Sequence, residues 1–141
     1  MRFRIACMVL LASLTIGALS VYLFVDNLSV RRPDVIELTD SRQYIVERVP
    51  FPSFFFGEDL SYLRVTDQDA PKYIYRSPLY PTKLLTMQLD ESKRKVSVPN
   101  VDFLIVEKKF VFHAHRWVDY TMNHFVSNTP YVVESLNESE R

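Results

Sequence analysis

Residues 5–25 of this chain carry no charge, and that run constrains its folding more tightly than any other feature. Eleven of these 21 positions are Leu, Ile, Val or Phe. A helix rises ~1.5 Å per residue, so the run would reach roughly 30 Å, the thickness of a bilayer's hydrocarbon core. Each large apolar side chain near the centre favours insertion by about 0.3–0.6 kcal/mol, and Ser13, Thr15 and Ser20 reduce the total. The run predicts a single N-terminal transmembrane signal-anchor helix over residues 5–25, behind a short head of residues 1–4. Its partner is then the lipid bilayer.

The rival reading is a cleaved secretory signal. Arg2 and Arg4 would be its basic region, residues 5–17 its apolar region, and Ala18-Leu19-Ser20 a small-x-small cleavage site. Apolar regions of such signals typically stop at roughly 7–15 residues, whereas this one continues through the cut. Cleavage after Ser20 would also leave Val21-Tyr22-Leu23-Phe24-Val25 as an apolar N-terminus without an evident partner. Tyr22, near the end of the run, suits the aromatic belt at a membrane interface. Cys7, the only cysteine, follows Arg4-Ile5-Ala6, which is no lipobox, so a lipoprotein is excluded. Arg2 and Arg4 on one flank balance Arg31 and Arg32 on the other, and the α-amino group tips the count. The expected arrangement puts the N-terminus in the cytoplasm and residues 26–141 outside it, in the periplasm of a Gram-negative cell. The alternative is secretion after cleavage near Ser20.

Beyond residue 25 lie 116 residues, enough for one ordinary domain. They hold 15 Lys and Arg against 17 Asp and Glu, a balance that gives no basic face for nucleic acid. They hold no cysteine, which removes disulfides, thiolate zinc sites and cysteine nucleophiles. Sixteen of the 19 aromatic residues lie here, so an apolar core can form. Only Gly57 falls outside the apolar run. Phosphate-binding loops and the G-x-S-x-G elbow need several glycines in a short span, and all are excluded.

Residues 26–33 read as a juxtamembrane linker, with Pro33 ending any helical continuation. The next period is mainly two, with strand-like runs at 35–39, 44–49, 62–66 and 72–75. Pro50 and Pro52 are expected to break the second run, and Asp67-Gln68-Asp69-Ala70-Pro71 makes a polar turn. Leu85, Met87 and Leu89 alternate, Asp90-Glu91-Ser92-Lys93 turns the chain, and Val96 and Val98 alternate on the return, so 84–98 predicts a hairpin. Residues 103–106 and 110–112 form either one long strand or a tight hairpin. Val118, Met122 and Phe125 fall at i, i+4 and i+7, which predicts an amphipathic helix over 116–127 stopped by Asn128-Thr129-Pro130. A last strand at 131–133 precedes a polar tail, residues 137–141. The predicted fold is the transmembrane helix followed by a small β-rich α+β domain, residues 34–136, with antiparallel strands and one short helix in its C-terminal half.

Few residues point to chemistry. His113 and His115 share a face if they lie on a strand, and His124 or Asp119 could complete a metal site. No H-E-x-x-H or cysteine partner supports that set, so a half-exposed strand pair is the plainer account, and no metal or cofactor is expected. Asp67 and Asp69 form a D-x-D pair better explained by their turn. Ser92 and Lys95 satisfy S-x-x-K, but in a charged hairpin rather than at a buried helix start. Asn27-Leu28-Ser29 and Asn137-Glu138-Ser139 match the glycosylation pattern, a frequent chance match. The stronger oddity is Phe51, Phe54, Phe55 and Phe56. Strict alternation puts Phe54 and Phe56 on one face and Phe51 and Phe55 on the other, so the segment either crosses the core or exposes rings as a partner contact. The expected function is contact with an unidentified protein partner rather than catalysis. The alternatives are a metal-binding protein or hydrolase built on His113, His115 and His124, and a small-ligand module using the aromatic interior.

Overall fold

The computed structural model describes residues 1–52 and 56–136, and these divide into two units, Met1–Arg31 and Arg32–Arg141. The first unit is one helix, α1 (Arg2–Leu28), long and apolar enough to cross a membrane. Its serine and threonine hydroxyls are satisfied internally: Ser13 and Thr15 donate to the carbonyls of Leu10 and Ala12, and Ser20 to that of Ile16, each at 2.8 Å. Such bonds remove the cost of carrying a free hydroxyl into an apolar surrounding. The helix extends three residues beyond the expected 25 and ends well before Pro33, so part of the presumed linker is helical.

The second unit is β-rich. Its strands are β1 (Val35–Leu38), β2 (Tyr44–Phe51), β3 (Leu60–Asp67), β4 (Ile74–Arg76) and β5 (Tyr80–Pro81), then β6 (Asp90–Glu91), β7 (Lys95–Val98), β8 (Val101–Leu104), β9 (Lys109–Ala114) and β10 (Tyr131–Ser135). One short helix, α2 (Asn123–Val126), precedes the last of them. Among the described residues these strands form two five-stranded sheets. The first runs β1-β2-β3-β4 with β5 also on β3, all antiparallel; the second runs β10-β9-β8-β7-β6.

The two sheets share one core. Tyr44, Val46, Leu63 and Val65 of the first sheet meet Val96, Val98, Val101, Phe103, Phe110 and Phe112 of the second. Alternation of period two puts these residues on the inner faces, as a pleated strand requires. The void between them is only about 10 Å³, room for no more than one water. Arg48 pins the first sheet's edge, gripping Asp34 at 2.9–3.2 Å and donating to the Leu85 carbonyl at 2.8 Å. On the opposite face of that sheet Arg64 meets Glu47 at 2.6 Å, with both side chains largely buried.

Several sequence expectations are corrected. Pro50 does not break β2 but pairs opposite Ser61 within it. The ladder to β1 ends at Arg48, so from Val49 onward β2 has β3 alone beside it, and a missing amide donor is tolerated there. The 84–98 hairpin keeps its inward face but not its ladder. Leu85 is buried and Met87 and Leu89 pack on the core, yet only Asp90 and Glu91 pair with β7. Residues 103–112 resolve as a hairpin, β8 with β9, whose turn carries Lys108 at φ 51°. The β7–β8 turn, Pro99-Asn100, was not anticipated. Asn100 sits at φ 70°, the left-handed conformation a type II turn needs after proline.

The largest departure lies in 116–127. Instead of three helical turns there is only α2, and Val118 and Phe125 are exposed while Asn123 and Val126 are buried. Asn123 explains this inversion. Its Oδ1 accepts the Leu79 amide at 2.8 Å, and its Nδ2 donates to Asp119 at 3.0 Å. Arg76 Nε donates to the Val126 carbonyl at 2.9 Å, and Asn128 Oδ1 accepts the Arg76 amide at 2.7 Å. The segment is therefore a strap fastened by polar groups. It carries the chain across so that β10 joins β9 in parallel, an arrangement no tight turn can make.

Candidate functional site

The histidines do not converge. His113 lies on the outer face of the second sheet, where Nε2 stands 3.1 Å from Asp102 Oδ2 and Nδ1 3.3 Å from Glu134 Oε2. The two carboxylates are on opposite sides of the ring, so they brace the imidazole rather than share an ion with it. His115 lies one residue past the end of β9, where strand alternation no longer applies, and its Nδ1 is 3.1 Å from the Leu136 carbonyl. His124 is exposed on α2. Among the described residues no group of three His, Cys, Asp or Glu side chains is placed to hold a metal ion.

Asp102 is the centre of this outer-face ladder. It accepts from Ser97 Oγ at 2.6 Å, from Lys95 Nζ at 3.0 Å and faces His113. Burial pushes its carboxyl up, but the Ser97, His113 and Lys95 hydrogen bonds outweigh it and hold the group below the usual carboxylate range. A hydrolytic triad needs histidine between serine and carboxylate. Here the carboxylate stands between serine and histidine, so Ser97 has no base. Asp67 Oδ1 accepts the Asp69 amide at 3.0 Å, and Ser92 Oγ lies 3.3 Å from the Lys95 amide, so both earlier motifs close turns.

The phenylalanine cluster is described at two positions. Phe51 is 6% exposed and Phe56 half-buried, with ring centroids 5.9 Å apart. Phe54 and Phe55 lie outside the described residues, as do the tail 137–141 and its glycosylation pattern. Phe56 presents a tilted edge to Tyr120 at 5.3 Å, and the Tyr120 hydroxyl donates to Glu58 at 2.7 Å. Burial, and then the Glu58 hydrogen bond and charge, push the Tyr120 phenol up to about 12.

Tyr120 opens onto a cleft of about 320 Å³. Leu79, Tyr80 and Pro81 line it, with Lys83 and Leu84 on one side and Arg116 and Val118 beside Tyr120. Local sequence builds each part. Pro81 leads into a 3-10 turn (Thr82–Leu84), held by the Thr82 amide on the Asp59 carbonyl at 2.9 Å and by Thr82 Oγ1 against Ser61 Oγ at 2.6 Å. Behind the cleft Trp117 stacks on Tyr80 with centroids 5.9 Å apart and also meets Phe112 and Tyr131. That clamp leaves its neighbours Arg116 and Val118 exposed. Sequence reasoning missed Lys83, Leu84, Arg116 and Tyr120 altogether and assigned Val118 to a buried face. The only available signal was the Trp117 ring interrupting an otherwise polar stretch.

Comparison with known proteins yields no match: no protein-family model, no curated protein and no solved structure resembles the chain. What the residues define on their own is a long apolar N-terminal helix ahead of a β-rich, two-sheet domain.

Proposed function

We propose that this chain is a single-pass membrane protein whose domain, residues 26–141, faces the extracytoplasmic side and works by contact with another protein. One observation carries the reading: the cleft is rimmed by Leu84 and Val118, large apolar side chains that are 40% and 56% exposed. Apolar groups held at the mouth of a concavity are what a partner's side chain can cover. The close-packed space between the sheets supports contact at the surface over a ligand held in the interior. The anchor is supported by the length of α1 and by its unbroken course through Ala18-Leu19-Ser20 to Leu28.

The test has three arms. Alkaline carbonate should leave the full-length chain in the membrane pellet. A photo-cross-linking residue in place of Val118 should give a discrete protein adduct in intact membranes, while the same residue in place of Ser97 should not. Protease added from outside should digest the domain. A released species beginning at Val21 would establish signal cleavage instead, and equal labelling from both positions would remove the cleft as the contact.

A further inference from the structure

The two sides of the cleft each carry an exposed cation above apolar walls, Lys83 on one and Arg116 on the other. Among the described residues neither lies within ion-pair distance of a carboxylate, in contrast to Arg48, Arg64 and Lys95. Among the described lining residues the carboxylate is Glu58, which already accepts the Tyr120 hydroxyl. We infer that the cleft takes a peptide segment presenting a bulky apolar side chain next to a carboxylate, the apolar group entering against Tyr80 and Pro81 while Lys83 and Arg116 meet the acid. This names the partner chemistry for the contact reading above and rests on it.

Shape favours a peptide over a lipid surface. A bilayer is engaged by side chains that protrude, whereas the apolar groups here line a hollow of about 320 Å³, which a single large side chain can enter. Charge favours an acidic segment. An arginine at the rim can take a carboxylate through two parallel hydrogen bonds, and lysine adds a second, point-like attraction. Both cations are exposed, so the attraction is screened by salt and steers selection more than it sets strength.

Trp117 reports on the site through Tyr80: it is the chain's only tryptophan, and its ring stacks on that lining residue. The full-length chain in phosphatidylcholine vesicles is titrated with two short tryptophan-free peptides. Each carries leucine and phenylalanine, flanked by glutamates in one and by lysines in the other. Trp117 emission should respond to the glutamate peptide at a concentration about tenfold lower than to the lysine peptide, a difference that shrinks in high salt. The double variant Lys83→Glu with Arg116→Glu should reverse the preference without moving the melting temperature, because both side chains are exposed. Equal response to the two peptides, or an unchanged preference in the double variant, overturns the inference. So does binding to phosphatidylglycerol vesicles in place of either peptide, which would assign the cations to lipid. An adduct from position 118 that survives charge reversal in membranes would leave the contact reading standing and this chemistry refuted. Peptide binding with no adduct at all would refute the contact reading alone.

Discussion

At the scale of single residues, Asp102 is where the second sheet's outer face is most exposed to change. Its carboxylate takes three polar partners from β7 and β9 and is only 15% exposed. Hydrogen bonds to a charged group contribute roughly 1.5–3 kcal/mol each in favourable cases, but removing one partner lets the others find water at this surface. Asp102→Asn should therefore lower unfolding stability by about 1–3 kcal/mol at neutral pH. The carboxyl's folded value lies below its unfolded one, so its contribution is complete above the unfolded value and is lost as pH falls through the folded value. Denaturant unfolding of both proteins should thus give a constant gap above about pH 5 that narrows as the pH falls below the unfolded carboxyl's value of about 4. A gap that widens in acid would show that the charge is not what stabilises the site. The phenylalanines separate in the same measurement: Phe51→Ala should cost about 3–5 kcal/mol, and Phe56→Ala clearly less, since it is only partly buried.

Among the elements, the strap between β9 and β10 separates what patterning can show from what it cannot. Alternation marked Val96 and Val98 of β7, and both are buried on the inner face, because burial on a half-exposed pleated strand follows a period of two; β3, buried on both faces from Leu60 to Val65, carries no such signal. Alternation also marked the inward face of Leu85, Met87 and Leu89 even though no ladder forms there, since pattern reports burial and not hydrogen bonding. In 116–127 the period of 3.6 was accidental. Val118 and Phe125 are apolar but exposed, and the residue that fixes the segment is Asn123, a polar side chain whose partners Leu79 and Asp119 cannot be paired from sequence. The cleft was illegible for the same reason, because its two sides come from strand-bound turns some thirty residues apart. Asn123→Ala tests the point sharply. Alanine is the better helix former, so an amphipathic helix would gain stability of a few tenths of a kcal/mol. The strap should instead lose about 1–3 kcal/mol, because the buried Leu79 amide is left without an acceptor. Thermal melting of the variant against the parent distinguishes the two by sign alone.

For the molecule as a whole, stability should be graded from the sheet centres outward. β3 has strands on both sides, as do β8 and β9, whereas β1 and β6 are short edges. Hydrogen exchange on the full chain in detergent should show the slowest amides in β3, β8 and β9 and the fastest in β1 and β6. Uniform protection, or slow exchange at β1, would contradict the two-sheet arrangement. The parallel placement of β10 also bears on how the protein is made. A ribosome delivers the chain in order, so Phe110, Val111 and Phe112 emerge on a strand with one edge open. That edge closes only after the strap has been delivered and fastened and residues 131–135 have followed. In the interval the nascent domain offers a neighbouring copy an unpaired apolar strand, the hazard that chaperones meet in slow-closing sheets. A pause in synthesis just after Ala114 would therefore prolong that exposure.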